Sequence, residues 1–166
     1  KEHVDVSKVY DIWLHSYLNG DVKTYDSYFD DRYRFIGSTD NEDFLNREET
    51  TKFFEKTADQ LAGQVEVRNS RKTFEKFNEL IFLTDIFDAY FLNDNNWEYY
   101  GKFRFTSSLR KHKNGWRFVY QHFSTPDTKA QEGETIGTEQ IAAENLQLRE
   151  AIKRRTIELE HKTTEL

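Results

Sequence analysis

Histidines and carboxylates are the side chains in this chain that could move protons near neutral pH. Its five histidines, His3, His15, His112, His122 and His161, share no ligand spacing. The sequence therefore sets out no metal site, and it implies no cofactor. With no cysteine there is neither thiolate chemistry nor a disulfide framework. His122 stands out by position. In KNGWRFVYQHFSTP, the residues Trp116, Phe118, Tyr120, His122 and Ser124 alternate, so a strand would point all five to one face. A mostly apolar face that ends in an imidazole and a hydroxyl suits a pocket wall. If the domain is an enzyme, His122 is its acid–base residue. Asp26, Asp85 and Asp88 are the carboxylates on neighbouring elements, and none stands at a spacing that ties it to His122. No catalytic residue is assigned beyond that reservation.

The direction of His122 depends on a hairpin register. Asn114-Gly115 is a two-residue turn signal. That turn pairs Lys113 with Trp116, Leu109 with Tyr120, Ser107 with His122, and Phe105 with Ser124, and cross-strand partners share a face. His122 then sits with Ser107, Tyr120, Phe105, Tyr99 and Trp97. The opposite face carries Arg104, Thr106, Ser108, Arg110, Arg117, Val119 and Gln121. The expected ligand-binding set is His122, Ser107, Tyr120, Phe105, Tyr99, Trp97 and Trp13, around a small apolar or aromatic ligand.

These residues need elements to hold them. Val6, Val9, Tyr10, Trp13 and Tyr17 recur at helical spacing, with Asp5 or Ser7 as a cap and Asn19-Gly20 as a stop. Asp21 caps a short second helix. Residues 32–38 alternate as a strand, and 47–61 form a third helix that ends at Gly63. Four strands follow over 65–74, 80–92, 97–111 and 116–124, rich in aromatic and β-branched residues and separated by Asn/Asp/Gly turns. Helix, helix, strand, helix and then four strands predict an α+β fold, with three helices packed on one bent antiparallel sheet. The aromatic content of 16% agrees with a ring-lined sheet.

The chain divides into a domain over residues 1–126, a polar linker over 127–137, and an extended helix over 138–166. Ile141, Asn145, Leu148, Ile152, Arg155, Leu159, Lys162 and Leu166 step alternately by four and three, a heptad seam. Ile141, Asn145, Leu148, Ile152 and Leu159 are the expected dimer contacts, and Asn145 fixes a parallel pair in register. The helix is expected to continue past Leu166 into an output domain. With no Met and a start at Lys1, the sequence reads as a piece of something longer. The net charge of −6 gives no argument for nucleic acid, and Lys111-His112-Lys113 reads as a solvated hairpin tip. No apolar run approaches the roughly 20 residues that span a bilayer, and no signal peptide is visible. A cytoplasmic homodimer is the expectation.

Three stretches in order, NGDVKTYDSYFDDRYRFIGS, FLNREETTKFFE and KFRFTSSLRKHKNGWRFVYQHFS, resemble the nuclear transport factor two-like superfamily, in its SnoaL-like branch. The resemblance covers residues 4–125. It implies a cone, in which a strongly curved sheet wraps helices around a cavity, and members often pair through the sheet. It also implies relatives that are isomerases, cyclases or dehydratases. The tail LQLREAIKRRTIELEHKTTEL is similar to the helices that lead into bacterial histidine kinases or nucleotide cyclases. Together these readings imply a ligand-sensing, dimerising input domain. The alternatives are a SnoaL-like enzyme using His122 and a dimerisation module without a ligand.

Overall fold

A computed structural model describes residues 1–165. The chain forms two compact units, Lys1–Thr125 and Pro126–Leu166. Leu166, expected as the last seam residue, lies outside the described residues.

The first unit contains α1 (Glu2–Leu18), α2 (Val22–Asp26), β1 (Phe29–Ile36), β2 (Leu45–Asn46), α3 (Arg47–Leu61), β3 (Val65–Phe77), β4 (Leu80–Asn93), β5 (Asn96–His112) and β6 (Gly115–Ser124). The six strands make one sheet in the order β2-β1-β6-β5-β4-β3. The expected α+β architecture is present, with one difference: β1 pairs with β6 in parallel, so the sheet is mixed. Local signals set most boundaries. Asn19 caps the end of α1 and Gly20 follows at φ 74°, a conformation that favours glycine. The Asp21 carboxylate accepts the Thr24 amide and starts α2, and the Asn46 side chain does the same for α3 through Glu49. At the start of α1, neither Asp5 nor Ser7 is the cap. The helix begins at Glu2 after Lys1, with no side-chain cap.

The core lies between the helices and the inner face of the sheet. From α1 it takes Val6, Tyr10, Trp13 and Leu14; from β1 Phe29, Tyr33 and Phe35; and from the long strands Leu83, Phe87, Phe105, Leu109 and Phe118. Trp13 meets Phe105 edge-on at 5.4 Å and packs at the same distance against Phe118. Aromatic contacts of this kind add to the burial of apolar area.

Bulges decide which side chains reach that core. On β5 and β6, His112 pairs with Gly115, so the turn residues are Lys113-Asn114, one position earlier than the Asn114-Gly115 turn expected. Leu109 pairs with Phe118 but Ser108 with Tyr120, which leaves Val119 as an extra residue. The pairs that follow are Ser107–Gln121, Thr106–His122, Phe105–Phe123 and Arg104–Ser124. A single inserted residue reverses the facing of everything beyond it. A second bulge, at Tyr100, lies between the pairs Ala89–Gly101 and Tyr90–Tyr99.

β1 bulges as well, and there it buries a carboxylate. The Asp30 side chain is fully buried and accepts hydrogen bonds from the Arg32 amide, from Arg110 Nε at 2.7 Å and from His112 Nε2 at 2.5 Å. Burial pushes this carboxyl up, but the three donors outweigh burial and hold it below its ordinary value of 3.8. A depressed folded value means stability that is present above the unfolded value and lost as pH falls through the folded one. Asp30→Asn should therefore destabilise the domain at pH 7, and the gap to wild type should narrow as pH drops below about 4. Urea unfolding at pH 7 and pH 3 measures both; a gap that stays constant would remove Asp30 from the acid response.

The second unit carries α4 (Thr138–Glu165), a helix of 28 residues. Ile141, Leu148, Ile152 and Leu159 are between 41% and 59% exposed in the single chain. Leu146 and Ile157 are also exposed but fall off the seam. Among the described residues no helix is long and apolar enough to cross a membrane.

Candidate functional site

The inner face of β6 after the bulge belongs to Gln121, not His122. Gln121 is fully buried; it accepts from Tyr33 Oη at 2.8 Å and donates to Ser107 Oγ at 3.0 Å. His122 is exposed on the outer face opposite Thr106, in the same row as Arg104, whose Nε donates to Ser124 Oγ at 3.1 Å. The expected pairing of His122 with Ser107 is thus corrected by the Val119 bulge, and Gln121 takes the position assigned to the histidine. Tyr120 turns outward too, near the exposed ring of Phe44 at 6.4 Å. Of the expected ligand set, Ser107, Phe105 and Trp13 face inward and are buried.

That interior is filled. Trp13 contacts Tyr10, Tyr17, Phe105 and Phe118, and its Nε1 is buried without a hydrogen-bond partner. Tyr17, Tyr25 and Tyr33 gather nearby, and burial pushes all three phenols above the ordinary range. They stay neutral at physiological pH and act only as hydroxyl donors and acceptors.

The carboxylates weighed against His122 are held elsewhere. Asp85 is fully buried on the inner face, accepting from Tyr10 Oη at 2.6 Å and from Ser70 Oγ at 2.6 Å. It lies across the sheet from His122, so the two cannot form an acid–base pair. Asp26 binds Arg47 and Thr51, and Asp88 accepts from Asn69. Among the described residues no group of three or more His, Asp or Glu could hold a metal ion.

The apolar cleft that remains open lies where α3 ends against β3, β4 and β5. It has a volume of about 310 Å³. Leu61 and Val65 form one side, the rings of Tyr90, Phe91, Tyr100 and Phe103 the other, and Gln60 is the polar side chain at its wall. Tyr100 meets Phe103 edge-on at 5.8 Å, and the Arg68 guanidinium lies over the Tyr90 ring at 3.9 Å. Tyr100, at the bulge, lines the edge of the cleft and is 68% exposed. Tyr99 and Trp97, the expected lining residues, are 58% and 39% exposed and do not line it. An apolar cleft with one amide suits a flat, mostly uncharged molecule.

The comparisons agree with this architecture. The model of the SnoaL-like domain matches residues 6–128. No curated protein matches the chain. Among solved structures, an NTF2-like protein of unknown function from Pseudomonas putida superposes with a TM-score of 0.64 at 14% identity, covering 78% of this chain and 90% of that one. An NTF2-like protein with a cystatin-like fold from Novosphingobium aromaticivorans gives 0.63 at 9% identity, covering 84% and 88%. A putative calcium/calmodulin dependent protein kinase II association domain from Xanthomonas campestris gives 0.59 at 14%, covering 74% and 86%. At these identities the structures share the fold. A packed aromatic interior under a six-stranded sheet, together with the family match over most of the length, places this chain in the SnoaL-like domain family.

Proposed function

We propose that this chain is a dimerising input domain, in which a SnoaL-like unit with a small aromatic-lined cleft feeds a parallel pair of α4 helices. The observation that carries the proposal is the exposed seam: Ile141, Leu148, Ile152 and Leu159 keep the heptad spacing and have no cover in the single chain. A solvated lone helix gains nothing from apolar residues at that period. Asn145 at an a position supports a two-stranded, parallel, in-register pair. The putative kinase association domain among the structural relatives supports an assembling role for this fold. An uncharged aromatic ligand in the Tyr100 cleft would be the input. Its effect on the pair would be to shift the population of helix orientations toward those it binds best, and so to bias an output domain of the sensor-kinase or cyclase kind.

The absence of cysteine makes the register directly testable. Asn145→Cys should form an interchain disulfide on mild oxidation, because in-register a positions lie within the reach of that bond. Glu150→Cys, on the outside of the seam, should not. Efficient crosslinking at 150 with none at 145 would exclude the parallel pair.

A further inference from the structure

β5 is longer than the strand that follows it in the sheet. β4 pairs with it from Asn96 to Arg110, but β6 pairs with it only from Arg104, opposite Ser124, to His112. Residues 96–103 therefore have a strand on one side and an open edge on the other. Eight residues of strand measure about 26 Å. The chain cannot cover this edge by prolonging β6. Pro126 comes two residues after Ser124, and proline has no N–H to give to a ladder. Among the described residues no loop or cap backbone bonds to the edge either. Unpaired N–H and C=O groups in a row are a template for another extended chain.

The side chains along the edge narrow down which chain fits. On the outer face of the sheet the segment presents Trp97, Tyr99 and Lys102, all exposed, and Arg104 follows where β6 ends. Among the described residues neither Lys102 nor Arg104 forms an ion pair. Arg104 Nε donates to Ser124 Oγ, and Asp88, opposite Lys102, accepts from Asn69. The inner face differs. Glu98 lies there, opposite Phe91, and accepts from the Asn93 side chain at 3.2 Å. Gly101 lies there too, and a Cβ on it would meet nothing within 4 Å, which leaves room for an incoming side chain. A second copy of this strand is a poor occupant. Paired edge to edge about a twofold axis, it would keep outer face with outer face, and that face holds no carboxylate between 96 and 103. Lys102 and Arg104 would stay unmatched.

We propose that residues 96–103 of β5 bind an extended peptide segment of another protein, adding it as a further strand antiparallel to β5. An acidic residue of the peptide stands against Lys102 and Arg104, and apolar residues cover Tyr99 and Trp97. The added strand takes up the ladder where β6 leaves it. The main-chain bonds supply the affinity, and the outer-face side chains select the partner.

The test is a titration of the full chain with a capped hexapeptide, glutamate followed by alternating threonine and valine. In that order the glutamate and both valines share the outer face. Trp97 is exposed while Trp13 and Trp116 are buried, so tryptophan fluorescence reads the binding. Lys102→Glu should weaken binding about tenfold, and a peptide with lysine in place of glutamate should recover most of that loss on the variant. Lys113→Glu, at the far end of β5, should leave binding unchanged. N-methylated peptides test the backbone pairing and need no variant of the chain. Alternate N–H groups of an antiparallel strand point at its neighbour, so methylating one alternate set should abolish binding and methylating the other should spare it. No binding at roughly 1 mM peptide overturns the proposal. So does equal binding of the two methylated peptides, or a loss no greater in Lys102→Glu than in Lys113→Glu. An Ile152→Asp chain that stays a dimer and comes apart on adding the peptide would give the edge to a second copy, and overturns it as well.

Discussion

Gln121→Lys should unfold the first unit, whereas the neighbouring His122→Lys should leave it folded. The Gln121 side chain is fully buried with both ends bonded, to Tyr33 and Ser107. A lysine there would bury an ammonium without a contacting carboxylate, and would strand the Tyr33 and Ser107 hydroxyls. An uncompensated buried charge costs about 3–5 kcal/mol. Against a total of about 5–15 kcal/mol for an ordinary domain, that removes most or all of the stability. His122 is exposed beside Thr106, where a change should stay within about 0.5 kcal/mol. Urea midpoints for the two variants read the difference directly. The opposite ranking would mean that Val119 is not a bulge and that the histidine faces the core.

Trp13→Ala is the second large loss, at about 3–5 kcal/mol, while Trp97→Ala should cost little. Trp13 is 1% exposed and touches α1, β5 and β6 through four aromatic neighbours. Deleting it opens a cavity that rigid rings on three elements cannot collapse into. Part of the loss is offset, because the indole N–H is buried without a partner and its removal relieves that cost. Trp97 is 39% exposed near the β4–β5 turn. Thermal unfolding of both variants checks the pair. A Trp13 variant within 1 kcal/mol of wild type would show that the interior is not packed as described.

The elements were legible because their signals are local. Asn19-Gly20, Asp21 and the span of α3 each follow from a cap or a breaker within a few residues. The facing of the strands was less legible, because it depends on bulges. At Val119 no glycine or turn signal marks the bulge, whereas at Tyr100 the neighbouring Gly101, an isolated strand glycine, does; parity counted straight through both positions comes out reversed on the far side. The two reversals put His122 on the outer face and take Tyr99 out of the expected lining. Trp13, Phe105 and Ser107 came out on the correct side because they sit in an unbroken helix face and in the undisturbed middle of β5. The parallel pairing of β1 with β6 has no sequence signature at short range. Nor has the burial of Asp30, which requires two hairpin side chains far along the chain to reach a bulge in β1.

Pairing through α4 is the claim on which the functional reading rests, and the mass of the full chain in solution tests it most directly. Sedimentation at about 50 μM, where even a weak pair is populated, should give twice the chain mass of 19.9 kDa. Ile152→Asp places a charge at the centre of the seam and should bring the mass down toward one chain, with the first unit still folded. A wild-type chain that sediments as a monomer at that concentration would contradict the account.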